Sequence, residues 1–123
     1  MILDWHIQKV WYEGESVDYY MFRTNRYEGG FCATSGFADI CIEDKETDRL
    51  FGFEIKLGGA DKDVEHKIKV LTEDILDKIA AGVHLSNEIN YADYARRYRL
   101  DKKTDATERK QHDRRKTNQK SQV

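Results

Sequence analysis

Residues 37–57 read FADICIEDKETDRLFGFEIKL, and both halves of this stretch alternate apolar and polar side chains with period two. In the first half Ala38, Ile40 and Ile42 fall on one face, with Phe37, Asp39, Cys41 and Glu43 on the other. In the second, Phe51, Phe53, Ile55 and Leu57 oppose Leu50, Gly52, Glu54 and Lys56. That alternation is the pattern of strands with one face in a core. The polar link DKETD between them suits a hairpin. With the turn centred between Glu46 and Thr47, position i pairs with position 93 − i, so Asp39 faces Glu54, Ile40 faces Phe53 and Ile42 faces Phe51. Both apolar faces agree in this register, whereas a slip of one residue would turn every side chain to the wrong side.

Working outward, VDYYMFRTN (residues 17–25) is dense in Val, Tyr and Phe and reads as a strand. The first twelve residues fit two patterns: a helix groups Ile2, Trp5, Lys9 and Tyr12, and a strand groups Leu3, Trp5, Ile7 and Trp11. Gly14 closes either element. Downstream, GGAD (residues 58–61) ends the second hairpin strand and opens a helix, with Asp61 or Asp63 as N-cap. Val64, Ile68, Leu71, Ile75 and Ile79 follow as one apolar stripe at helical spacing. Gly82 suits the C-terminal cap. VHL at 83–85 reads as a short strand, and Ser86 or Asn87 as the cap of a last helix ending near Leu100.

A chain of 123 residues has room for one domain. Its apolar runs fall far short of the roughly 20 residues that span a bilayer, and its start lacks the features of a secretory signal. A cytoplasmic protein with no membrane partner is therefore expected. Cys32 and Cys41 supply no disulfide framework. His6, His66, His84 and His112 are scattered without zinc-site spacing. The glycines form no phosphate-cradling loop. The expected architecture is α/β, a mixed central sheet flanked by helices over residues 1–100, followed by a basic tail over 101–123.

The net charge of −2 conceals an asymmetry: residues 1–95 hold 19 acidic and 10 basic side chains, and residues 96–123 hold 4 acidic and 11 basic. An acidic body thus carries a basic end. Beyond Leu100 there is too little apolar surface to offset ordering entropy, so residues 103–123 are expected to be mobile in the free protein. Arg96, Arg97, Arg99, Lys102, Lys103, Arg109, Lys110, Arg114, Arg115 and Lys116 are candidate nucleic-acid contacts, acting as an electrostatic arm for phosphates. Tyr91, Tyr94 and Tyr98 recur at helical spacing among these arginines, either as helix packing with a basic rim or as an aromatic and basic binding face.

Two carboxylates directly across an antiparallel pair repel unless a positive charge lies between them. Asp39 and Glu54 stand in that arrangement, and Lys56 projects from the same face. A hard divalent cation suits such a pair, because Mg²⁺ is held by carboxylate and carbonyl oxygens and by water beside a phosphate. Such an ion would polarise a phosphodiester oxygen and lower the pKa of its bound water, while the lysine orients that water or offsets transition-state charge.

At these residues the chain resembles the PD-(D/E)xK nuclease superfamily, whose signature is an Asp on one hairpin strand and Glu-x-Lys on the next. The wider context is similar to the virus-type replication and repair nucleases called VRR-NUC domains, through MFRTN at 21–25, SGFADI at 35–40, FEIKLGG at 53–59, the amphipathic helix and AGVHLSN at 81–87. The resemblance implies a restriction-endonuclease-like fold and a metal-dependent endonuclease cutting DNA with Mg²⁺ or Mn²⁺. Asp39 and Glu54 would be metal ligands, with Ile55 contributing through its main chain, and Lys56 the catalytic lysine. Arg23, in the Arg-x-Asn stretch, would touch substrate or support the structure. Asp4, Glu13 and Glu15 are candidates for the acidic residue that such domains draw from their N-terminal region. A body this small offers little surface to hold DNA, so a homodimer is also expected. The alternative from another class is a non-enzymatic, virus-type inhibitor whose acidic body occupies the groove of a nucleic-acid-binding partner.

Overall fold

The computed structural model describes residues 1–58 and 62–100. Asp61, the expected tail and its candidate contacts Lys102, Lys103, Arg109, Lys110, Arg114, Arg115 and Lys116 lie outside the described residues.

Five strands, β1 (His6–Tyr12), β2 (Glu15–Arg23), β3 (Tyr27–Thr34), β4 (Phe37–Asp44) and β5 (Arg49–Lys56), are followed by α1 (Val64–Ala80), β6 (Glu88–Asn90) and α2 (Tyr91–Arg97). The strands form one mixed sheet in sequence order, with every neighbouring pair antiparallel except β5 and β6. The chain after α1 returns to the same end of the sheet, which is the geometry a helical crossover imposes.

The β4–β5 register has Asp39 opposite Glu54, Ile40 opposite Phe53 and Ile42 opposite Phe51, as the alternation predicts. Ala38, Ile40, Ile42, Phe53 and Ile55 are buried beneath α1, whose stripe places Ile68, Leu71 and Ile75 in the same core. The N-terminal ambiguity resolves as strand from His6 onward. Residues ahead of it run beside α1: the Leu3 amide donates to Glu73, and Trp5 meets Phe22 and Phe31 edge-on. Between β1 and β2, Glu13 (φ 50°) and Gly14 (φ 80°) make a two-residue turn with both central residues left-handed, the turn whose twist suits a hairpin.

Helix α1 ends where Gly82 was expected to cap it. Gly82, at φ 79°, donates to the Ile79 carbonyl and Val83 donates to that of Lys78, the two bonds of a Schellman motif. At its start, Asp63 precedes the helix in a left-handed conformation and its side chain makes no capping bond. The expected strand at 83–85 is absent. Those residues carry the chain from the helix end back to the sheet, and pairing begins only where the Glu54 amide reaches the Asn87 carbonyl. The last helix starts correspondingly later, capped by Asn90, whose side chain accepts from the Asp93 amide at 3.1 Å, rather than by Ser86 or Asn87.

Helix α2 is tied to α1. Tyr94 is buried and donates to Asp74 at 2.6 Å, while the Lys78 ammonium lies 4.0 Å from the Tyr98 ring centroid. The tyrosine stripe therefore packs, and no described helix covers the opposite sheet face, where Asp39, Cys41, Gly52 and Glu54 are exposed. No described helix is long and apolar enough to cross a membrane.

Candidate functional site: a carboxylate pair on the open face of the sheet

The open face is built by the residues that alternate with the core. The Leu57 amide bonds the Gly36 carbonyl, which sets the phase of the β4–β5 ladder. Hydrogen-bonded pairs then fall at positions 38 and 55 and at 40 and 53, and Asp39 and Glu54 form a non-hydrogen-bonded pair. Side chains approach more closely in such pairs than in hydrogen-bonded ones. Glu54 instead directs its amide toward β6, where it meets Asn87.

On the far side of Asp39 stands Cys32, and beyond Glu54 stands Glu88, so Cys32, Asp39, Glu54 and Glu88 form one row across β3, β4, β5 and β6. Burial, reinforced by the charge of Asp39, pushes the Cys32 thiol up from its ordinary value. Lys56 is exposed one pleat further along, opposite Phe37. Ile55 is fully buried and could reach an ion only through its carbonyl, which the ladder phase turns toward Ala38.

A wall rises over this floor. β2 pairs with β3 only from Tyr20 to Arg23, whereas β1 and β2 remain paired out to Tyr12 and Glu15. The free end of that ribbon curls across the open face, as two-stranded ribbons twist more strongly than wide sheets. Tyr12 at its tip donates to Asp39 Oδ2 at 3.4 Å, a long bond, and the negative charge of Asp39 is the main reason its phenol is held above its ordinary value. The resulting cleft is lined by Tyr12, Asp39, Cys41, Gly52, Glu54 and Glu88. Gly52 forms open floor, since a methyl group there would meet nothing within 4 Å.

Three further expectations are resolved by position. Arg23 pairs with Glu28 at 2.7 Å, in the row of Glu43 and Leu50, four residues and thus roughly 13 Å along the strand from Asp39. The structure does not bring it to the carboxylates. Arg96 and Arg97 are exposed on α2, the first paired with Asp93 at 2.6 Å and the second over the Tyr98 ring, and Arg99 is exposed just past the helix. Asp4, Glu13 and Glu15 are exposed and do not line the cleft. Tyr12 and Glu88 are the cleft residues that sequence reasoning missed. Neither carries a local signal: Tyr12 reaches the cleft through the free end of the β1–β2 ribbon, and the strand that holds Glu88 is expected five residues earlier.

As a donor set, the cleft offers carboxylate oxygens, one phenol and the Cys41 thiol. The carboxylate oxygens of the Asp39–Glu54 pair fit a hard cation such as Mg²⁺ or Mn²⁺. Among the described residues no three His, Cys, Asp or Glu side chains converge into a preformed metal cage, so the fit rests on the Asp39–Glu54 pair. A scan against protein-family models finds no match, and comparisons with curated proteins and with solved structures find none either.

Proposed function

We propose that this protein is a divalent-metal-dependent endonuclease acting on DNA, with Asp39 and Glu54 as metal ligands and Lys56 as the catalytic lysine. The observation that carries this reading is the non-hydrogen-bonded pairing of Asp39 with Glu54, on an open face that Lys56 shares. Two like charges so placed are unfavourable in isolation. A cation between them removes the cost. The succession of antiparallel β3, β4 and β5, helix α1 and a short final strand beside β5 supports the restriction-endonuclease-like reading of the fold.

Mg²⁺ or Mn²⁺ held by Asp39 and Glu54 would polarise a phosphodiester oxygen and supply water of lowered pKa. The chain's own part is to orient and to neutralise. Tyr12 holds Asp39 from above, leaving its other oxygen free. Lys56 offers an ammonium to the attacking water or to the charge that accumulates on the phosphorus oxygens. Glu88 extends the carboxylate row and can accept a proton or a further water. The basic residues from Arg96 onward would gather phosphates that the acidic body repels.

One observation favours a second reading. The open face presents Glu15, Glu28, Asp39, Glu43, Glu54 and Glu88 against Arg23 and Lys56, a surface that could imitate nucleic acid to a basic partner. Calorimetric titration with Mn²⁺ separates the two. The nuclease reading expects binding that is lost in Asp39→Asn and Glu54→Gln, both folded. Absence of Mn²⁺ binding by the wild-type protein favours the mimic.

A further inference from the structure

The sheet has two edges, and they differ. β6 is three residues long, whereas β1 runs seven residues and has no strand on its outer side among the described residues. On β1, Ile7 and Trp11 are 59% and 77% exposed and share one face with Lys9. A long edge strand with exposed apolar side chains is normally guarded by a charge. Here Lys9 is already paired with Asp18 at 2.8 Å.

The turn at Glu13 and Gly14 fixes which main-chain groups point outward. Its flanking residues Tyr12 and Glu15 form a hydrogen-bonded pair in a turn of this kind. By alternation Val10, Gln8 and His6 also bond inward to β2, and the amides and carbonyls of Ile7, Lys9 and Trp11 face the free edge. The residues with outward main-chain groups are thus the same three that carry the exposed face.

We propose that β1 is a dimerisation edge, pairing antiparallel with β1 of a second copy about a two-fold axis at Lys9. In that register Lys9 meets its own counterpart, and Ile7 meets Trp11 of the second copy twice. It uses all three outward-facing residues, about six main-chain hydrogen bonds in all, whereas a shift of two residues in either direction uses fewer and separates Ile7 from Trp11. The two lysines at the axis are each neutralised from behind by Asp18. Aromatic and aliphatic side chains directly across strands stabilise such a pair, and an isologous contact closes on itself at two copies. The contact is small on the scale of obligate interfaces, so the dimer dissociates on dilution.

Sedimentation velocity on the full chain over a concentration series tests this, independently of any nuclease activity. Lys9→Pro removes only an outward amide and leaves the bonds to β2 intact, as edge positions allow. Trp11→Glu places a charge in the apolar contact. Each is expected to raise the dimer dissociation constant at least about tenfold, with an unchanged circular dichroism spectrum. Amide exchange supplies a readout that needs no variant: protection of the Ile7, Lys9 and Trp11 amides should rise with protein concentration while that of Gln8 and Val10 stays constant. A chain monomeric at all concentrations, a dimer indifferent to both substitutions, or odd-numbered amides whose exchange ignores concentration would overturn the proposal.

Discussion

The Tyr12 hydroxyl lies 3.4 Å from Asp39 Oδ2, although 27 residues separate the two and two strands stand between theirs in the sheet. The β1–β2 ribbon makes that contact by leaving β3 below Tyr20 and curling over the open face. Tyr12→Phe keeps the ring and removes the donor. The expected result is an unchanged fold with Mn²⁺ bound roughly two- to tenfold more weakly, the range of one modest hydrogen bond. Calorimetry on the two proteins measures it, and equal affinities would show that Tyr12 only lines the cleft.

Three glycines make opposite predictions. A methyl group on Gly29 would lie 2.0 Å from the Cys41 carbonyl oxygen, and one on Gly30 would lie 2.2 Å from that of Tyr20. Neither backbone atom can move without opening the sheet, so Gly29→Ala and Gly30→Ala should each lower the melting temperature by several degrees or more. Gly52→Ala, in open space, should leave it unchanged. Gly52→Phe should fill the cleft floor and reduce DNA cleavage while the fold remains stable.

Hairpin β4–β5 is legible in sequence because both strands alternate strictly and share one register, so the pairing of Asp39 with Glu54 follows from counting. The stripe of α1 and the Gly82 cap are legible for the same reason, each being a local pattern with one solution. The β6 strand is not. Glu88, Ile89 and Asn90 are too few to show a period, and β6 is placed by where α1 ends and where β5 has a free edge. The cleft wall is invisible for a different reason. Tyr12 reaches Asp39 through curvature of the whole sheet, which depends on how little of β2 pairs with β3, and no local spacing records that.

Acid should weaken the end of the β4–β5 hairpin. Arg26 donates to both oxygens of Asp44 at 3.0 Å, and the Glu46 amide adds a third bond. Chiefly because of the Arg26 bonds, the Asp44 carboxyl sits well below the usual carboxylate range. A carboxyl depressed in the folded state contributes stability that is complete above its unfolded value and is lost as pH falls toward its folded one. Thermal melts of the wild-type protein should therefore show a decline below about pH 4. Asp44→Asn should be less stable at neutral pH and show a shallower decline. Parallel curves for the two proteins would contradict the assignment.

Removal of residues 103–123 should weaken binding to DNA and flatten its salt dependence, because basic side chains that release counterions from phosphates are lost. Mobility shifts of full-length and shortened protein at two salt concentrations measure this. Equal affinity at low salt would exclude the basic segment as a phosphate arm.

In the proposed mechanism Asp39 and Glu54 together hold the ion that cuts DNA. Its most direct test is cleavage of a panel of duplex, single-stranded and branched DNA in Mg²⁺ or Mn²⁺, at several pH values, by the wild-type protein, Asp39→Asn and Glu54→Gln. The expected result is cleavage by the wild-type protein, none after addition of a chelator, and none by either variant, with all three proteins equally folded. Intact substrates in every wild-type reaction, or cleavage that survives both substitutions, would contradict it.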